Sequence, residues 1–168
     1  SAGVVAELQA LGMEQTQFVV NLERSSAPDG VFVNDETFTC DETGIDRVEF
    51  LIAPNPGEPL KPMIKIASGG ETSRLMLALK TVLALADETP TLIFDEIDAG
   101  IGGEIALRVA DKLRAVAGQH QVFVITHLPQ LASRAHQQLV VEKEEEDGMA
   151  STRVRELSVG SKRSATSE

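Results

Sequence analysis

Between residues 71 and 126 the apolar pattern alternates: helical spacing over 71–86, a short apolar run at 91–95, helical spacing over 103–117, and a second run at 121–126. Strands that alternate with helices of this length pair in parallel, because each helix returns the chain across one face of the sheet. The expected fold is α/β, with a mostly parallel sheet and flanking helices, and short strands near 137–143 and 151–157 finishing the sheet edge. The stretch before residue 71 has a different period. Phe18, Val20 and Leu22 alternate with polar residues, as do Val48, Phe50 and Ile52, so residues 16–53 read as an antiparallel β-rich segment. Pro28-Asp29-Gly30 and Asp41-Glu42-Thr43-Gly44 are its expected turns. Pro54, Pro56, Pro59 and Pro62 then exclude a helix or an inner strand and mark a connecting loop.

A chain of 168 residues with 42% hydrophobic and 24% charged residues suits one domain with a sizeable core. Val5, Leu8 and Leu11 stand at helical spacing before Gly12, and the abrupt start reads as the end of a longer helix. Cys40 is the one cysteine, which excludes an internal disulfide or a multi-cysteine zinc site and suits a reducing compartment; it reads as a structural residue. No apolar run approaches the roughly 20 residues of a membrane helix, and Ser1-Ala2-Gly3 lacks a charged signal start, so a cytoplasmic location and no membrane partner are expected. The net charge of −11 repels nucleic acid, which leaves weak or no DNA binding for this segment unless it is local. Lys61, Lys65, Arg153, Arg155, Lys162 and Arg163 are the candidates, and solvated surface is the simpler reading of them. Glu142 to Gly148 reads as a solvated charged turn, and His120 and His136 as surface residues.

The run Thr91-Leu92-Ile93-Phe94 suits a strand buried on both faces, and it ends in Asp95, Glu96 and Asp98. Three carboxylates at a buried strand end repel one another and resist desolvation, so they need partners. Mg²⁺ and a reacting water would supply them: successive strand residues face opposite ways, so Asp95 can face a metal while Glu96 faces a water beyond a γ-phosphate. An exposed acidic loop is the alternative.

Ser68-Gly69-Gly70 stands where the proline-rich loop enters the helix at 71–86, so free backbone N–H groups and the positive helix end converge there. Two glycines let an oxyanion approach, and Ser68 adds a hydroxyl. A plain helix cap is the alternative. His127 follows Val122-Phe123-Val124-Ile125 at a C-terminal strand end, where parallel sheets place their sites and a neutral imidazole can contact a phosphate; an ordinary loop histidine is the alternative, and the simpler reading of it taken alone. Gly100-Ile101-Gly102-Gly103 mimics a dinucleotide fingerprint, but Ile105 occupies the third glycine's place and the acids upstream would repel a pyrophosphate. Those glycines instead suit a loop that passes close to a partner subunit. No Gly-x-x-x-x-Gly-Lys-Ser/Thr loop precedes these motifs, so the part that grips a nucleotide is missing from this stretch.

In this order the three motifs resemble the C-terminal lobe of an ABC-type ATPase head. Ile66 to Lys80, Phe94 to Gly103, Thr126 to Ala132 and Asn55 to Pro59 are similar to the RecN family, the bacterial SMC-like proteins of DNA double-strand-break repair and recombination. The D-loop supports that subfamily, since Asp98-Ala99-Gly100-Ile101 stands where SMC proteins proper usually read Asp-Ala-Leu-Asp. The resemblance implies a cytoplasmic, nucleoid-associated ATPase using ATP and Mg²⁺. Ser68, Gly69, Gly70 and Glu71 would form the signature motif at the γ-phosphate held by an opposing head. Asp95 would serve Mg²⁺, Glu96 would be the general base, Asp98 would belong to a D-loop that crosses the dimer, and His127 would be the switch histidine. The implied partners are an N-terminal P-loop lobe of the same protein, a second head in an ATP-dependent homodimer, and DNA through the full-length protein. By the same resemblance residues 1–12 end a coiled-coil helix, 13–157 form the lobe, and 158–168 form a flexible tail in place of an expected helical stretch. A non-catalytic interaction lobe that kept the fold is the alternative function. The acids and His127 together favour the catalytic one.

Overall fold

The computed structural model describes residues 1–66, 68–84, 86–146 and 149–157. Two units divide the chain, Ser1–Ser68 and Gly69–Glu168.

The first unit opens with helix α1 (Ala2–Ala10), whose buried residues are Val4 and Leu8. Gly12 follows at φ 80°, a conformation that glycine adopts without strain and that stops a helix. Strand β1 (Gln17–Glu23) packs against α1 and pairs antiparallel with β4 (Arg47–Ala53), Phe18 opposite Ile52 and Leu22 opposite Val48. The alternation expected from the sequence governs burial at one end of this pair only: Phe18 and Ile52 are buried, whereas Leu22 and Val48, apolar positions of the same period, are exposed. The proline-rich loop ends in a two-residue strand β5 (Lys61–Pro62) on the open edge of β4. An edge is where a proline, lacking an N–H, is tolerated. A 3₁₀ turn (Met63–Lys65) follows.

Strands β2 (Ser26–Val33) and β3 (Glu36–Phe38) form a separate hairpin. Its turn lies at Asn34 and Asp35, both at positive φ (50° and 67°), as a two-residue hairpin connection favours. Pro28-Asp29-Gly30 is therefore not a turn between strands. It lies within β2, where the register slips so that Ser26 and Val31 both oppose Phe38. A bulge accommodates the proline without costing a ladder bond. Gly30 is required there, because a Cβ would run into the Phe38 backbone carbonyl. Gly30→Ala is expected to lower the urea midpoint of the chain by the equivalent of about 1–3 kcal/mol, the cost of overpacking a fixed backbone. An unchanged midpoint would show that the bulge relaxes freely.

The second unit opens with helix α2 (Gly69–Val82), which begins two residues earlier and ends four earlier than the sequence period suggests. Strand β6 (Thr91–Phe94), helix α3 (Gly103–Val116) and strand β7 (Gln121–Val124) form a parallel β-α-β unit, Leu92 beside Val122 and Phe94 beside Val124. Helix α3 buries Ala106, Val109, Ala110, Leu113 and Val116, one stripe at helical spacing, and packs against α2 and the short helix α4 (Pro129–Ala132). Leu75, Leu77, Ala78, Leu79, Leu92, Phe94, Ile97, Leu131 and Leu157 are also buried in this unit.

β6 is buried on one face only, for Ile93 is 69% exposed, beside exposed Phe123 and Ile125. Strands β8 (Leu139–Glu146) and β9 (Met149–Glu156) pair with each other and not with the parallel sheet. Glu142 to Glu146 are thus strand rather than turn, while Asp147 and Gly148 lie outside the described residues. Across this hairpin Arg155 meets Glu142 at 2.8 Å and Arg153 meets Glu144 at 3.0 Å, so two candidate DNA-contacting cations are committed to carboxylates. Lys162, Arg163 and the proposed tail at 158–168 lie outside the described residues. His120 is buried, its Nδ1 2.6 Å from the Thr89 carbonyl, whereas His136 is exposed as expected. Cys40 is exposed rather than packed.

Candidate functional site

Helix α2 starts at Gly69, directly after the exposed Ser68; Ala67 lies outside the described residues. At this helix start a Cβ on Gly70 would stand 2.8 Å from the Ala99 Cβ and 3.1 Å from the Glu96 carbonyl oxygen. A Cβ on Gly69 would run into the Glu96 carboxylate. The glycines therefore admit the loop that follows β6 to the first turn of α2, and the acidic group of Glu96 lies at the positive end of that helix. Glu71 is half-buried in the same first turn.

The loop after β6 is held from α2. Ser73 Oγ donates to the Asp95 carbonyl at 2.5 Å, and the Arg74 guanidinium donates to the carbonyls of Ala99 at 2.8 Å and Ile97 at 3.3 Å. Burial pulls the Arg74 guanidinium below its ordinary value, with the Glu71 charge opposing the shift. The Asp95 carboxylate accepts the Glu96 N–H at 2.9 Å, and the Ala99 N–H donates to the Glu96 carbonyl at 2.9 Å. These bonds sustain an unusual backbone: Glu96 sits at φ 55°, a left-handed conformation that costs a non-glycine residue about 1–3 kcal/mol and collects at functional sites. The strand alternation expected to send Asp95 and Glu96 to opposite faces thus ends at Phe94, and Glu96 is aimed by a turn instead.

Of the three acids, Asp95 and Glu96 are exposed and only Asp98 is buried, so the expected crowding of desolvated carboxylates does not arise. Asp98 faces the end of β7. Its Oδ2 accepts the Thr126 hydroxyl and the His127 N–H at 3.0 Å, and lies 3.2 Å from His127 Nδ1. Burial pushes the Asp98 carboxyl up, but the bonds from Thr126 and His127 outweigh it and leave the group below its ordinary value. The His127 side chain is 79% exposed. Gly69, Gly70, Asp95, Glu96, Asp98 and His127 therefore gather around the C-terminal ends of β6 and β7, where parallel sheets carry their sites.

Among the described residues no three His, Cys, Asp or Glu side chains form a group that could hold a metal. Mg²⁺ keeps several waters and takes one or two carboxylates together with substrate phosphates, a demand that a single exposed carboxylate such as Asp95 can meet. Sequence reasoning passed over Ser73, Arg74 and Thr126. Arg74 left a signal: it occupies the buried stripe Gly70, Arg74, Leu77, Ala78, where a charge needs a specific partner.

No protein-family model matches the chain. It is 42% identical over 157 residues to the DNA repair protein RecN of Streptomyces coelicolor, covering 94% of this chain and 27% of that protein. RecN of Bacillus subtilis is 43% identical over 155 residues (90% and 27%), and RecN of Treponema pallidum 50% identical over 140 residues (82% and 23%). The chain thus spans about a quarter of the length of these relatives. Among solved structures, the Smc head domain with a coiled coil and joint from Pyrococcus yayanosii matches with a TM-score of 0.60 at 23% identity, covering 99% of this chain and 28% of that one. The Smc head of Pyrococcus furiosus, bound to the C-terminal domain of ScpA, matches at 0.57 and 22% identity, covering 98% and 36%. The fold is that of an SMC-type head.

Proposed function

Since this chain belongs to the RecN family, we propose that it is the C-terminal lobe of an ATPase head in DNA double-strand-break repair, completed by a P-loop lobe of the same protein and by a second head. The observation that carries this reading is the placement of Asp95, Glu96 and His127 just beyond the C-terminal ends of two adjacent parallel strands, with the Glu96 carboxylate against the glycine-led start of α2. The exposed apolar face of Ile93, Phe123 and Ile125 supports the first partner, because a core strand of this composition is stable only when covered.

In this reading Ser68, Gly69 and Gly70 offer N–H groups and a hydroxyl to the γ-phosphate held by the opposing head. Glu96 orients the attacking water and accepts its proton. His127 contacts the γ-phosphate held in its own head. Asp95 holds Mg²⁺, which when bound with the nucleotide neutralises charge on the phosphates. Residues 1–12 are the end of a coiled-coil helix and 13–157 the lobe proper. DNA contact belongs to the full-length protein, given the charge of −11 and the engaged Arg153 and Arg155.

The isolated chain is expected to hydrolyse no ATP and to bind it weakly, since nothing in it replaces the P-loop. Titration calorimetry with Mg²⁺ and ATP checks this. Micromolar binding would overturn the split-site reading.

A further inference from the structure

We propose that Asp98 is a positioning residue that sets His127 within its own head, rather than a group that reaches across to a second one. The proposal rests on the ATPase reading above and goes beyond it. Asp98 is buried, its side chain 5% exposed, so its carboxylate cannot meet another molecule without leaving its site. Two donors already claim Oδ2, the Thr126 hydroxyl and the His127 N–H, and His127 Nδ1 lies 3.2 Å from the same oxygen. Thr126 in turn accepts the Leu128 N–H at 3.0 Å, which fixes the turn that presents the histidine.

Two consequences follow from this arrangement. With Nδ1 turned toward the carboxylate, Nε2 is the nitrogen left to face a ligand, so one side chain sets both the ring orientation and the atom that is offered. The anchor is also stiff, because Arg74 holds the carbonyls on either side of Asp98, at Ile97 and Ala99, against α2. A displacement of α2 is thereby transmitted to His127 through the Arg74 guanidinium, the backbone on either side of Asp98 and the Asp98 carboxylate. Asp98 thus acts through His127 rather than on the nucleotide.

A double-mutant cycle in the full-length protein, read as steady-state ATP turnover, tests this. Asp98→Ala and His127→Ala are each expected to lower kcat by about 10- to 100-fold, the usual scale for a partner that orients a site group. KM for ATP should hold nearly constant in Asp98→Ala, since the P-loop grip is untouched. The double variant should be no slower than His127→Ala alone, because a residue that acts only through another is non-additive with it. Losses that multiply, or near-normal turnover in either single variant, would overturn the proposal. If Asp98→Ala does not fold, Asp98→Asn keeps the shape and serves the same cycle, with the same non-additivity expected. Failure of the underlying reading is recognised separately, as turnover that is absent in the wild type or untouched by Glu96→Gln.

Discussion

Full-length protein carrying Glu96→Gln is expected to bind ATP and retain it, with turnover lower by about 10²–10⁴-fold, the usual contribution of a positioned general base. The amide has the shape of the carboxylate, so the left-handed turn at Glu96 and its backbone bonds persist. Only the proton acceptor is removed. Because the Glu96 side chain is exposed at the loop and not part of the core, no comparable loss of stability should accompany the loss of rate. Phosphate release measures turnover, and nucleotide retained through rapid gel filtration measures binding. Dimerised heads should accumulate with ATP. Near-normal phosphate release would remove Glu96 from the chemistry and leave its strained backbone without a functional explanation.

Gly69→Asp is expected to bind ATP yet not hydrolyse it, and to regain activity when mixed with a P-loop mutant. A signature loop has anion-binding N–H groups, so a carboxylate placed there opposes a γ-phosphate arriving from another head. The structure adds a second effect, since any side chain at Gly69 must displace the Glu96 carboxylate of the same chain. In a mixed dimer one site combines the sound P-loop of the Gly69→Asp chain with the sound signature of its partner. That site uses the displaced Glu96, so the recovered rate should fall below that of one unperturbed site. Inactive mixtures in which heterodimers demonstrably form would count against a shared site. Nucleotide trapping at single sites then separates that outcome from a requirement that both sites fire together.

The order of helices and strands was legible in the sequence because it depends on spacings of two to four residues. The α3 stripe, the β1 and β4 alternation and the glycine-led start of α2 all have this local origin, and so do the motifs at Ser68-Gly69-Gly70, Asp95-Glu96 and His127. The tertiary structure decided what those spacings do not encode. It turned Pro28-Asp29-Gly30 into a bulge against Phe38, buried His120 beside Thr89, left Ile93 exposed, and separated β8 and β9 from the parallel sheet. It also gave the three acids different surroundings, by exposing Asp95 and Glu96 and sealing Asp98 under Thr126 and His127. The buried polar groups among these rest on partners distant along the chain: His120 meets a carbonyl 31 residues away, Arg74 one 25 residues away, and Asp98 a backbone N–H 29 residues away. Local periodicity selects an element, whereas the partner of a buried polar group is chosen only when remote segments close around it.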